Sequence, residues 1–92
     1  MSKASARHIL VDTEAECIAL KTQIEEGGDF AVLAKQHSKC PSGRQGGALG
    51  TFSRGQMVPE FDRVVFNEEV GKVHGPVKTQ FGYHLVEVTM RS

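Results

Sequence analysis

The sequence has no tryptophan, a single tyrosine and only two cysteines, Cys17 and Cys40, in 92 residues. Two cysteines are too few for a disulfide framework, and they do not form the C-x-x-C pair of redox and zinc motifs. No apolar run approaches the ~20 residues that a membrane helix requires, and residues 1–7 lack the apolar stretch of a secretory signal peptide. These absences predict a soluble protein that starts at its own methionine and works in a reducing compartment, the cytoplasm.

An excess of charge of one sign is also missing, because 11 Lys and Arg residues balance 11 Asp and Glu residues. The chain therefore lacks the basic excess expected of proteins that bind nucleic acids or membrane surfaces. Hydrophobic residues make up 39% of the sequence and ten residues are glycine, which is an ordinary composition for a folded domain. The length leaves room for one domain, residues 1–92, with a small core.

The first half of the sequence predicts a strand followed by two short helices. Residues 5–11 place apolar side chains on both faces of an alternating pattern, which is typical of a buried strand. Thr13 and Glu16 match a capping box, in which each side chain satisfies the other's backbone donor, and the helix ends at Gly27-Gly28. Asp29 is placed to cap the second helix. The positions predicted to face the core are Cys17, Leu20, Ile24, Phe30, Leu33, Ala34 and His37.

The second half predicts one more helix and three more strands. Pro59 fits the first turn of the helix, with Phe61, Val64 and Val65 facing inward. The order β-α-α-β-α-β-β has few strands joined by helical crossovers, so it predicts an α+β fold with an antiparallel sheet packed on helices. The three predicted strands and the hairpin connection between the last two are residues 49–53, 73–78, 83–90 and 79–82.

Two of the four histidines are unusual, because His8 and His84 each lie among apolar residues of a predicted strand. Burial lowers the pKa of an imidazole and so keeps the ring neutral. One interpretation makes both of them core histidines with satisfied hydrogen bonds. In the other, their strands are neighbours and the two rings meet beneath an active site. His37 and His74 are interpreted as structural or surface residues.

Cys40 lies at the start of a turn-rich segment, residues 40–47, for which the sequence predicts irregular structure with one helical turn at Pro41. A loop thiol near a histidine could be a nucleophile with a lowered pKa. It could also be a metal ligand alongside His8 and His84, or an inert thiol. The residues alone leave all three interpretations open and favour the inert thiol.

The glycines of the same region do not form a phosphate-binding loop, because G-x-G-x-x-G is absent and no Gly-Lys-Ser/Thr follows. Gly43, Gly46, Gly47 and Gly50 are predicted to allow left-handed backbone and tight turns beside a pocket. Recognition of a compact apolar ligand and ordinary core packing both fit the apolar side chains in or beside loops, which are Phe52, Met57, Phe61 and Phe81.

Taken together, these segments resemble a parvulin-type peptidyl-prolyl cis/trans isomerase over residues 5–90, and the chain is similar to the small single-domain parvulins of bacteria. The matching motifs are Arg7-His8-Ile9-Leu10-Val11, Gly28-Asp29-Phe30 with Leu33-Ala34, Ser38-Lys39-Cys40-Pro41-Ser42, Gly46-Gly47-Ala48-Leu49-Gly50 with Phe52, Gly55-Gln56-Met57-Val58-Pro59-Glu60-Phe61, and Thr79-Gln80-Phe81-Gly82-Tyr83-His84.

The resemblance implies a four-stranded antiparallel sheet surrounded by helices, with a proline pocket on one side. The family's paired histidines, active-site thiol and hydroxyl match the candidate catalytic residues His8, His84, Cys40 and Thr79. In the family the two histidine rings largely hold the hydrogen-bond network of the site together. A histidine at either position can therefore be both a satisfied core residue and part of the active site. No metal, nucleotide or flavin is implied. The positions that match the apolar seat for the substrate proline are Leu49, Met57 and Phe61, with Phe81 at its edge.

The sequence departs from the family pattern at two places. Many relatives carry an acidic residue where this chain has Ala48. The phosphate-reading branch has a Lys/Arg cluster after its first strand, whereas residues 12–16 here contain three acids and no base. A phosphoserine or phosphothreonine carries roughly −1.5 to −2 charges and would be repelled. We therefore expect no phospho-specificity, and we expect an apolar residue before the proline.

The resemblance and the candidate residues lead to three hypotheses about function. The favoured one is a monomeric prolyl isomerase that acts on proline-containing peptides and on unfolded or folding protein clients, with no nucleic acid or membrane as a partner. A noncatalytic proline-peptide-binding or chaperone module would use the same apolar pocket without accelerating isomerisation. A hydrolase that uses Cys40 and His84 is the third hypothesis, although the sequence offers no separate acid to orient the histidine.

Overall fold

The computed structural model describes residues 3–92, which form four strands and three α-helices. In chain order these are β1 (Lys3–Val11), α1 (Glu14–Glu25), α2 (Phe30–His37), β2 (Ala48–Ser53), α3 (Pro59–Asn67), β3 (Val73–Thr79) and β4 (Gly82–Arg91), with a 3-10 helix over Pro41–Gln45. The predicted α+β class and element order are confirmed. Each predicted strand lies within an observed one. None of the helices in residues 3–92 has both the length and the apolar character needed to cross a lipid bilayer.

The four strands form one antiparallel sheet in the order β2-β1-β4-β3. The first and last strands of the chain are therefore the two central strands of the sheet. In their register His8 is paired with Val86, and Leu10 is paired with His84. Because side chains alternate between the two faces of a strand, His8, Leu10 and His84 project from the same face of the sheet.

The sheet separates two hydrophobic clusters. On one face, α3 contributes Phe61 and Phe66 to a cluster with the central strands. On the other face, α1 and α2 cover Ile9 and Leu85. Cys17 is fully buried in this second cluster, and burial raises the pKa of its thiol to about 11. Both faces of the two central strands are thus covered, which is why these strands are apolar on both faces.

The helix ends follow the capping residues of the sequence, with two corrections. Thr13 Oγ1 accepts a hydrogen bond from the backbone N–H of Glu16 at 3.2 Å, and Asp29 Oδ1 accepts one from Val32 at 3.2 Å. The other half of the predicted capping box is wrong. A capping box has the carboxylate of Glu16 accept from the backbone N–H of Thr13, but it accepts from the Thr13 hydroxyl at 3.4 Å. The inward placement of His37 is also wrong, because residues 35–37 are all exposed and the buried face of α2 ends before them. The alternative interpretation of His37 as a surface residue is confirmed.

The glycine-rich turn before β2 passes directly against β1. The backbone N–H of His8 donates to the carbonyl oxygen of Gly47 at 3.0 Å. A Cβ atom on Gly47 would overlap the carbonyl oxygen of His8, and the φ angle of Gly47 is 87°, in the left-handed region. The predicted left-handed backbone is confirmed at Gly46, Gly47 and Gly50 but is wrong at Gly43, which lies within the 3-10 helix. Only glycine lets the turn approach β1 this closely, and the turn fixes the backbone of residue 8.

Candidate active site

The site is built on two histidine rings that come from the two central strands. His8 and His84 are each 5% exposed, and their Nδ1 atoms are 2.9 Å apart. The two ring planes differ by 17°. At this separation one Nδ1 carries the hydrogen and the other accepts it. The interpretation in which the two strands are neighbours and the rings meet is therefore confirmed.

Two hydroxyl groups extend the pair into a continuous chain of hydrogen bonds. The Nε2 atom of His8 lies 3.1 Å from Ser42 Oγ, and the Nε2 atom of His84 lies 2.8 Å from Thr79 Oγ1. Thr79 Oγ1 also accepts from the backbone N–H of Phe81 at 3.2 Å, which fixes the turn between β3 and β4. Every ring nitrogen of the pair has a partner, so the buried imidazoles carry no unsatisfied polar atom.

Both rings are held in their neutral form. Burial, followed by the neighbouring His84, lowers the pKa of His8 to about 4. Burial also lowers the pKa of His84, and the nearby carboxylate of Glu60 opposes this shift. If both rings were cations, two Nδ1–H groups would face each other. Neutral rings let the hydrogen-bond chain form and give the site a floor that is polar but uncharged.

Cys40 lies beside this chain of hydrogen bonds rather than within it. Its backbone N–H donates to Ser38 Oγ at 3.4 Å, and the same oxygen accepts from Leu10 at 3.1 Å. The backbone N–H of Lys39 donates to the carbonyl of Leu10 at 2.7 Å, so this segment is attached to the end of β1. Because the histidine nitrogens are bonded elsewhere, the thiol has no imidazole partner of the kind that cysteine hydrolases use.

An apolar cavity of about 380 Å³ opens above the histidine pair. Phe61 lines the cavity together with both imidazoles and makes T-shaped contacts with them, with its ring centroid 5.7 Å from that of His8 and 6.0 Å from that of His84. Phe81 is 61% exposed at the edge of the cavity. The structure brings together all the predicted site residues except Thr79 around this cavity, namely His8, Cys40, Leu49, Met57, Phe61, Phe81 and His84. Thr79 does not line the cavity and is connected to it by its hydrogen bond with His84.

Sequence reasoning missed several residues that contribute to the site. Leu10 lines the cavity two residues after His8 on the same face of β1, so strand alternation could have revealed it. Ser42 and Ser38 lie in a matched motif, but no local pattern indicates which side chains they reach. Within residues 3–92, no three His, Cys, Asp or Glu side chains are grouped so that they could hold a metal ion.

Comparisons with known proteins agree with this geometry. The family model described as Rotamase: PPIC-type PPIASE domain matches residues 4–90. The chain belongs to the PPIC-type peptidyl-prolyl isomerase family. The resemblance to parvulins is thereby confirmed, and the family that the model describes is one of prolyl isomerases.

The relatives of this domain include foldases, of which the chain covers less than half, and a small parvulin of similar length. Foldase protein PrsA of Exiguobacterium sibiricum is 50% identical over 91 residues, which are 97% of this chain and 30% of that protein. The crystal structure of PrsA from Bacillus anthracis superposes with a TM-score of 0.96 at 36% identity, covering 99% of this chain and 42% of that one. NmPin, the parvulin of Nitrosopumilus maritimus, has a TM-score of 0.86 at 36% identity and is covered, like this chain, over 96% of its length. The chain spans about a third of the length of the curated PrsA proteins that it matches.

Proposed function

We propose that this chain catalyses the cis/trans isomerisation of X-Pro peptide bonds, with the proline ring held in the apolar cavity. The observation that carries this proposal is the position of the cavity, which lies directly above the neutral histidine pair and is lined by Leu49, Met57 and Phe61. A proline ring is a compact apolar group, and the cavity has the apolar lining and few polar groups that small-ligand sites share.

The energetic demand on such a site is small. An X-Pro bond crosses a barrier of ~18–20 kcal/mol, and a thousandfold acceleration requires only ~4 kcal/mol of differential stabilisation. The planar amide is the more polar state because of resonance, whereas the twisted state localises the nitrogen lone pair. An apolar cavity that excludes water from the carbonyl therefore disfavours the planar amide relative to the twisted one. The ring stays in place while the acyl side rotates.

We assign noncovalent roles to the polar residues around the cavity. His8, His84 and Thr79 hold the floor of the cavity in one arrangement and keep it uncharged. Cys40 adjusts the polarity near the rotating carbonyl without forming a bond to it. The lack of an imidazole partner for Cys40 supports this assignment and counts against the hydrolase hypothesis.

The preferred substrates are peptides with an apolar residue before the proline and without phosphorylation at that residue. Asp12, Glu14 and Glu16 are exposed where the phosphate-reading branch carries bases, and they would repel a phosphate. The foldase names of the relatives support protein or peptide clients. We propose that the chain binds these clients as a monomer.

We also propose the cytoplasm, or another reducing compartment, as the place of action. The support is that Cys17 and Cys40 are both free thiols, and Cys17 is buried in the core as a thiol. Fractionation of cells that produce the native protein, followed by immunoblotting, tests this proposal directly.

A protease-coupled assay on an Ala-Leu-Pro-Phe peptide tests the proposed activity. A prolyl isomerase accelerates the slow phase in proportion to enzyme concentration. A noncatalytic proline-binding or chaperone module binds the peptide but leaves the slow phase at its uncatalysed rate, which would overturn the proposal. Peptide cleavage without added protease, abolished by thiol alkylation, would instead indicate the hydrolase.

A further inference from the structure

A second cavity, about 510 Å³ in volume, lies next to the apolar one and has a different chemical character. We call it the basic pocket. It shares part of its lining with the apolar cavity, so a group bound in one lies beside a group bound in the other. Its lining residues are Lys35, Ser38, Lys39, Cys40, Pro41 and Arg44.

Three of these six residues are cations, in a chain whose total charge is zero. The Nζ atom of Lys39 lies 3.3 Å from Asp12 Oδ2, so a carboxylate already binds at the edge of the pocket. Within residues 3–92, neither Lys35 nor Arg44 forms a salt bridge. The basic pocket therefore keeps two positive charges that have no carboxylate of the described chain within salt-bridge distance.

Helix dipoles do not account for all of these charges, because Lys39 lies outside any helix and Arg44 lies in the last turn of a helix of only five residues. Lys35 lies in the last turn of α2, where a cation interacts favourably with the helix dipole. Lys39 lies in the following loop, and Arg44 lies in the short 3-10 helix beyond it. The convergence of cations from three segments on one cavity is what a site for an anionic group requires.

We propose that the basic pocket binds an acidic side chain of the substrate, an Asp or Glu two or more residues away from the reacting peptide bond. This inference rests on the proposed prolyl isomerase activity and adds a substrate class to it. Because Lys39, Cys40 and Pro41 line both cavities, an acid in the basic pocket and a proline in the apolar cavity belong to one short stretch of peptide. The residue directly before the proline stays in apolar surroundings.

The expected effect is modest and depends on salt. Lys35 and Arg44 are exposed, and exposed ion pairs typically change an equilibrium by about two- to fivefold. The effect weakens between about 0.01 M and about 1 M salt, because the Debye length falls from ~30 to ~3 Å over this range. Replacing Lys35 and Arg44 by neutral residues is expected to remove the preference for acidic peptides.

The test measures kcat/KM for isomerisation by NMR exchange on end-blocked peptides with a Leu-Pro centre. Matched peptides carry Glu or Gln at the second or third position before the proline, or at the second position after it. The enzymes are the unmodified protein, the double variant Lys35→Gln/Arg44→Gln, and the control Arg63→Gln/Lys72→Gln. The control also removes two positive charges, but at residues that line neither cavity.

At low salt, the unmodified protein and the control are expected to favour Glu over Gln about two- to fivefold in at least one position. Lys35→Gln/Arg44→Gln is expected to bring that ratio to about one while the rate on the Gln peptides stays unchanged. Equal rates on Glu and Gln peptides at every position, or the same loss of preference in the control, would overturn the basic-pocket proposal alone. If no peptide is isomerised, the proposed function itself fails.

Discussion

At the scale of single residues, the main feature is that two buried imidazoles each have both nitrogens hydrogen-bonded. His8 and His84 bond to each other, and Ser42 and Thr79 close the two ends of the chain. Such a network fixes the ring orientations without requiring a charge in the core. Its cost is sensitivity to acid, because a proton added to either ring must displace a hydrogen bond.

The first prediction concerns pH and stability. The pKa of His8 is about 4 in the folded chain, against an ordinary value of 6.5. The unfolded state therefore binds the proton first, and the stabilising contribution, complete above pH 6.5, is lost as the pH falls towards about 4. His8 alone changes the free energy of unfolding by up to ~1.4 kcal/mol per pH unit in this window. Urea unfolding at a series of pH values measures the slope.

Two variants serve to interpret that slope. His37→Asn removes an exposed histidine and is expected to keep the pH dependence of the unmodified protein. His8→Asn removes one of the buried rings and is expected to lose stability at neutral pH but to show a shallower slope. An equal slope in all three proteins would contradict the assignment of the acid sensitivity to His8.

The second prediction separates noncovalent from covalent catalysis at Cys40. Cys40→Asp keeps a polar group at the site and removes the thiol. We expect kcat/KM to stay within about tenfold of the unmodified protein, since the thiol only adjusts polarity. Loss of a true nucleophile costs several orders of magnitude. A folded Cys40→Asp protein without measurable turnover in the protease-coupled assay would therefore show that the noncovalent mechanism is wrong.

At the scale of secondary-structure elements, local patterns predicted most of the chain. The strands follow from alternation, α3 begins at Pro59 as predicted, and Asp29 caps α2 through its side chain. These features depend on neighbours within a few residues, so a sequence window contains their causes. The exposed His37 was mispredicted because helical spacing continues to the last residue of α2 although the surface it faces does not.

The third prediction concerns the glycine turn against β1. Gly47→Ala and Gly50→Ala both place a side chain at a positive φ angle, which costs roughly 1–2 kcal/mol of stability. Nothing lies within 4 Å of a Cβ atom at Gly50, whereas a Cβ at Gly47 overlaps His8. We expect Gly47→Ala to be less stable than Gly50→Ala by a further ~1–3 kcal/mol.

Chemical denaturation of the two glycine variants gives this difference, and the isomerase assay gives a second readout. Gly47→Ala displaces the backbone of His8 and should lower kcat/KM, while Gly50→Ala should leave it near that of the unmodified protein. If the two variants were equally stable and equally active, the close approach of the turn would not be what holds residue 8.

At the scale of the whole molecule, the site could be predicted only through the family resemblance. Its residues come from all four strands, α3, the 3-10 helix and the segments next to these elements, and spacing along the chain does not show which of them meet. Strand alternation identified His8 and His84 as unusual, but their contact depends on the sheet order β2-β1-β4-β3. Ser42 was missed for the same reason, since its partner lies 34 residues away.

The fourth prediction uses the two faces of the sheet to separate activity from stability. Met57 is half-buried in the wall of the apolar cavity, so Met57→Ala is expected to lower kcat/KM about tenfold through the loss of ~1–2 kcal/mol of apolar contact. Leu20 is buried on the opposite face. Leu20→Ala is expected to lower the free energy of unfolding by ~2–4 kcal/mol and to leave kcat/KM of the folded fraction unchanged.

Parallel urea titrations and peptide assays on both variants measure the two quantities. Full activity in Met57→Ala would mean that the proline does not occupy this cavity. A fall in kcat/KM of folded Leu20→Ala similar to that of Met57→Ala would mean that the two faces of the sheet are coupled.

The pairing of β1 with β4 has a consequence for how the protein acquires activity during its own synthesis. His8 leaves the ribosome early and His84 late, 76 residues apart, and neither ring has its partner until the final strand inserts between β1 and β3. A nascent chain that lacks residues 82–91 has no histidine floor, whatever structure its helices have reached. Catalytic competence therefore appears in one late step, when β4 pairs with β1 at the opposite end of the chain. The proposed isomerase therefore becomes active only after its own fold is complete.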